Sequence, residues 1–136
     1  MTRTRPSLVA VLAVAGLALS GCGGGNDEEG ATDTSTTTTP AVGSTLQGSV
    51  GPGFVISLST EDGQSVTTLA AGSYTIEVDD MASSHNFHLT GPGVDESTEV
   101  GEEEKQTFQV DLQPGTYTFV CDPHSSSLNG SFEVTG

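Results

Sequence analysis

The sequence predicts an all-β domain, an antiparallel sandwich or barrel, and three observations predict it. Turn-forming pairs recur at short intervals from residue 44 onward: Gly51-Pro52-Gly53, Asp62-Gly63, Ala71-Gly72, Gly91-Pro92-Gly93, Pro114-Gly115 and Asn129-Gly130. Between these stops apolar and polar residues alternate, which is the period of a half-buried strand. No segment carries a sustained helical stripe, although Ser97 to Gln106 has room for a short helix or an irregular excursion.

The strands can be justified in chain order. Phe54, Ile56 and Leu58 share one phase, followed by Tyr74, Ile76 and Val78. His85, Phe87 and Leu89 form the next set, then Phe108, Val110 and Leu112, then Tyr117, Phe119 and Cys121, and finally Phe132 and Val134. Alternate residues of a strand point to one face, so these side chains are the expected core. Glu77, Asp79, Asp111 and Glu133 fall on the opposite phase and are expected in solvent, as is the run Glu102-Glu103-Glu104. His88 is out of phase with its neighbours, which predicts a surface or interstrand hydrogen-bonding role.

The chain has 136 residues and a formal net charge of −15, from 3 basic and 18 acidic side chains. Phosphate binding requires clustered Lys and Arg, so nucleic acid is excluded as a partner and cationic partners are favoured. Arg3 and Arg5 precede the apolar run Leu8 to Leu19, which is too short to span a bilayer and predicts a signal peptide over residues 1–21. Leu19-Ser20-Gly21-Cys22 resembles the bacterial lipobox, which implies lipidation of Cys22 and anchoring on the extracytoplasmic face of the cell membrane. Residues 22–43 are rich in Gly, Thr, Ser and acids and cannot build a core; as a flexible tether they would span roughly 26 Å. Residues 44–136 hold every Phe and Tyr of the chain and are the expected folded domain.

Extending the strand phases locates the chemistry. His85 and Cys121 share the inward faces of their strands, so they are expected to meet inside one end of the sandwich. Asp122-Pro123 forms a stiff turn that returns His124 toward the thiol. One thiolate with two imidazoles suits copper, which accepts trigonal coordination by such a set, whereas zinc prefers a fourth strong ligand. If Cys22 is acylated, Cys121 is the only remaining thiol and a disulfide within the mature domain is excluded. The alternatives are a buried apolar cysteine without a metal, in a sandwich serving adhesion or interaction, and a cysteine nucleophile activated by histidine. No orienting residue or oxyanion motif accompanies the nucleophile reading, and a buried Cys121 would be poorly reached by a substrate.

The motif Cys121-Asp122-Pro123-His124, preceded by Gly115-Thr116-Tyr117-Thr118-Phe119-Val120 and joined upstream by His85-Asn86-Phe87-His88-Leu89, resembles the cupredoxins of the plastocyanin and azurin kind, in particular small secreted bacterial members. The resemblance covers most of Val50 to Thr135. It implies a Greek-key sandwich of the cupredoxin type, with His85, Cys121 and His124 as ligands of one type 1 (blue) copper ion cycling between Cu(I) and Cu(II). Asn86 is implied to tie the two ligand loops together. The family's weak axial methionine is missing, and Leu128 takes its place when the following strand is aligned; a distant carbonyl of Ser84 would face the other side. Met81 is the only methionine left after processing and is expected to rim the site.

A thioether lost to an alkyl group disfavours Cu(II), so a raised reduction potential is expected. The implied function is a membrane-tethered, monomeric electron carrier, not itself an enzyme, that meets a redox partner protein, one that the acidic run Glu102 to Glu104 would dock if it is basic. The alternative is a lipoprotein that captures, stores or delivers copper outside the cell.

Overall fold

The computed structural model describes residues 39–136; the expected signal peptide, Cys22 and most of the tether lie outside the described residues. The described chain folds into strands β1 (Thr45–Val50), β2 (Ile56–Thr60), β3 (Thr68–Ala70), β4 (Gly72–Asp80), β5 (His88–Gly91), β6 (Val94–Ser97), β7 (Glu104–Leu112), β8 (Gly115–Val120) and β9 (Asn129–Thr135). One 3-10 turn, Asp122–His124, interrupts the last hairpin. Among the described residues no helix is long and apolar enough to cross a membrane.

The strands form two sheets, ordered β2-β1-β4-β7 and β3-β9-β8-β5-β6. The expected all-β fold is what the chain adopts, but the expected antiparallel pairing is corrected at two places. β1 runs parallel to β4, and β3 parallel to β9, while the other pairs are antiparallel. Alternation reports which face a strand buries and carries no information on its direction relative to a neighbour, so the two parallel pairs were invisible in the pattern. The segment from Ser97 to Gln106 contains no helix; it is a loop between β6 and β7 with β7 already under way at Glu104.

Leu46 and Val50 from β1, Ile76 and Val78 from β4, and Leu89, Phe108, Phe119 and Phe132 fill the space between the sheets. Phe87 stacks on Phe119 with centroids 5.7 Å apart, and Tyr117 on Phe132 at 5.3 Å. Two glycines opposite aromatic residues make these positions possible. A Cβ on Gly91 would stand 2.2 Å from the Tyr117 ring, and one on Gly130 would stand 2.3 Å from the Phe119 ring. The rings therefore lie flat over bare backbone, which fixes β8 against both of its neighbours.

One core assignment requires correction. Phe54 shares the phase of Ile56 and Leu58, yet it is 67% exposed and precedes β2, in the loop that follows β1. The turn residues Gly51-Pro52-Gly53 break the strand before the alternation can reach Phe54.

Candidate metal centre

β8 ends at Val120, so Cys121 continues its inward phase and is fully buried. The chain then makes its 3-10 turn: the His124 amide donates to the Cys121 carbonyl at 3.0 Å, and the amides of Ser127 and Leu128 both donate to the His124 carbonyl at 2.9 Å. The Cys121 amide donates to the carbonyl of Leu128, 2.9 Å away, which closes the loop onto the start of β9. Pro123 supplies the fixed φ that the first turn needs. His85 arrives from the loop between β4 and β5, its amide bonded to the Ala82 carbonyl at 2.9 Å, and it is 3% exposed.

These elements bring three donor atoms to one place. His85 Nδ1 and His124 Nδ1 each lie 3.5 Å from Cys121 Sγ, and 3.2 Å from one another. The point equidistant from all three is about 2.0 Å from each, which is the length of a metal–imidazole bond and slightly under that of a metal–thiolate bond. Among the described residues this is the one group of three or more His, Cys, Asp or Glu side chains arranged to hold a metal ion, and no carboxylate joins it. A soft thiolate with two imidazoles and no fourth strong donor fits copper better than zinc.

A layer of hydrogen bonds outside the donors fixes the loop. Asn86 is 3% exposed; its Nδ2 donates to Asp122 Oδ2 at 2.7 Å, and its Oδ1 accepts the Asp122 amide at 2.8 Å. The hydrogen bond from His88 and that from Asn86 hold the Asp122 carboxyl below its usual range, against an opposing effect of burial. His88 faces away from the core, as its phase predicts, and meets Asp122 and Asp95. Deeper in, Asp80 is 2% exposed, so burial raises its pKa; its Oδ2 accepts the Thr98 hydroxyl at 2.7 Å. That hydroxyl in turn accepts the amide of Phe87 at 2.8 Å, which braces the strand entry two residues after His85.

Phe54 is the residue that sequence reasoning misplaced and the site reclaims. Its ring meets both imidazoles edge to face, with centroids 5.0 Å from His124 and 5.6 Å from His85. The Gly-Pro-Gly turn before it was the available signal, since such a turn frees the next side chain from strand phase. Leu128 is 2% exposed, and Met81 is 37% exposed.

Such a donor set on such a fold defines a class, the copper proteins with a small β-sandwich. The chain belongs to the copper-binding protein family of plastocyanin and azurin, whose model matches residues 56–135. Copper is therefore its cofactor, and proteins of this family typically transfer electrons in extracytoplasmic compartments. Among solved structures, a point mutant of rusticyanin is similar at 19% identity, covering 67% of this chain and 76% of that one with a TM-score of 0.50. Rusticyanin from Thiobacillus ferrooxidans (19% identity, 67% and 76% covered, TM-score 0.47) and reduced rusticyanin (18%, 67% and 78%, 0.47) are also similar. No curated protein matches the sequence.

Proposed function

We propose that the protein is a one-electron carrier tethered to the extracytoplasmic face of the membrane through lipid on Cys22, with His85, Cys121 and His124 holding one type 1 copper ion. The observation that carries this reading is the convergence of the three donor atoms at 3.2 to 3.5 Å. Copper bound there supplies a reversible Cu(I)/Cu(II) couple. The chain's own residues supply the rest. The closed loop from Cys121 to Leu128 and the Asn86–Asp122 bonds keep the donors in one arrangement for either charge state, so little reorganisation accompanies transfer. Leu128, which takes the place of the family's methionine when the following strand is aligned, is buried and offers no lone pair, so beside bound copper it would favour the lower charge.

His124 is partly exposed, with the exposed apolar ring of Phe54 edge to face against it, which suits brief contact with a partner. The acidic groups elsewhere suit a basic partner and steering that weakens with salt: Lys105, the only Lys or Arg among the described residues, is already paired with Asp79. The protein makes and breaks no substrate bonds in this role.

Addition of Cu(II) to the full chain, followed by visible spectroscopy and voltammetry, tests the reading. An intense thiolate-to-copper charge-transfer band with fast, reversible one-electron cycling is expected. Tight Cu(I) binding with sluggish cycling and ready handover would instead make it a copper capture or delivery protein, and a colourless chain with a free Cys121 thiol would remove copper from its function.

A further inference from the structure

His88 is three residues from His85 but on the outer face of β5, where its backbone pairs with Ser97 of β6 and Val120 of β8. Its Nδ1 lies 2.9 Å and 3.0 Å from the two carboxylate oxygens of Asp122, and its Nε2 lies 2.8 Å from Oδ1 of Asp95. A neutral imidazole carries one N–H and can donate to only one of these acids; the imidazolium donates to both. No other cation serves the pair. β6 adds only Glu96 to Asp95, β8 has no charged side chain, and the turn after β8 adds His124 beside Asp122. Burial pulls the His88 pKa down, but its bonds to Asp122 and Asp95 outweigh that and raise it above the ordinary value.

Asp122 connects this cluster to the metal centre. It follows Cys121 directly, and Asn86 grips both its amide and its carboxylate. We propose that His88 is a positioning residue for the metal-binding loop: as an imidazolium it ties Asp122 to Asp95 of β6 and, with Asn86, fixes the peptide that presents Cys121. Its effect on the copper couple rests on the carrier reading above, while the clamp itself does not. When His88 loses its proton, one tether fails because a lone pair then faces a carboxylate, and a positive charge leaves the vicinity of the site. Both changes reach the donors through Asp122.

The sign follows from linkage. A folded-state pKa raised above the unfolded value of about 6.5 means that the clamp contributes fully below about pH 6.5 and is lost as the pH rises through the folded pKa. Loss of a nearby positive charge disfavours the reduced ion, so the midpoint potential should fall across the same interval.

The test uses the full chain, first without metal. It has three histidines, so the His88 imidazole resonance can be assigned by its disappearance in His88→Gln. In the wild-type chain it should titrate above 6.5, and in Asp95→Asn at a lower pH. The Asp95 side chain is 84% exposed, so its replacement tests the clamp without challenging the fold. With copper bound, the potential of the wild-type chain should fall in one step at the His88 pKa; the step should move down in Asp95→Asn and vanish in His88→Gln, which keeps a single donor. Titration at or below 6.5, a pKa indifferent to Asp95, or a step that survives in His88→Gln would overturn the proposal. If the chain takes up no copper the carrier reading fails, and the imidazole titration still decides the clamp.

Discussion

The two ends of strand β8 solve the same problem in opposite ways. At its start, the Tyr117 hydroxyl donates to the Pro92 carbonyl at 2.7 Å and accepts the Gln113 amide at 2.9 Å, so the loops there are bonded to the protein's own chain. At its end, in the same inward phase, Cys121 Sγ and two imidazole nitrogens face one another, and at most one proton fits between the two nitrogens. Polar groups that satisfy each other make a closed end. Three donor atoms aimed at one point, in a loop held by its own backbone bonds and by Asn86, make a site for something from outside. The difference lies in which residues end the strand, since the sheet beneath them is continuous.

The sharpest way to break the contrast is at the sulfur. Cys121→Ser should abolish the charge-transfer band of the copper-loaded chain, because a hydroxyl is a hard, weakly donating substitute for a thiolate; a blue protein after that change would show that the donor set is misassigned. At the closed end, Tyr117→Phe leaves the Pro92 carbonyl and the Gln113 amide without their partner and should cost about 2 kcal/mol in urea unfolding, with the copper spectrum unchanged. A spectral shift in that variant would mean that the two ends are coupled.

Leu128→Met probes the site end more gently. It should lower the reduction potential by restoring a thioether, while a near-isosteric swap keeps stability within about 1.5 kcal/mol. A potential equal to or above that of the unaltered chain would count against the proposal that Leu128 takes the methionine's place. Phe54→Ala should move stability least, by about 0.5 kcal/mol or less, because the ring is 67% exposed. Its effect should appear instead in the potential, lowered as water reaches the imidazole edges, and in the rate of exchange with a partner. Voltammetry that cannot tell this variant from the unaltered chain would make Phe54 an incidental neighbour.

Most of this architecture was written in alternation. The inward phases of Tyr74, Ile76, Val78, Phe87, Leu89, Phe108, Val110, Tyr117, Phe119, Phe132 and Val134 are all buried as the period requires. The pairing of Cys121 with His85 was readable for the same reason, because both extend strand phases that point inward, and Cys-Asp-Pro-His carries its own turn. Phe54 was misread because periodicity continues on paper through a glycine-rich turn that ends it in space. Asp80 and Thr98 went unnoticed, since a buried carboxylate on a strand looks like any solvent-facing acid until its partner, 18 residues away, is placed beside it.

The sequence by itself determined the all-β class, the core faces of the strands and the identity of the three candidate donors, because each of these depends on local spacing and side-chain chemistry. Only the tertiary structure decided the parallel pairings, the distances that make three side chains into one triangle, the Phe54 ring laid across two imidazoles, and the His88 bridge from Asp95 to Asp122. Those contacts join residues from separate loops and strands, and their energies depend on distance and exclusion of water, neither of which exists along the chain before it folds.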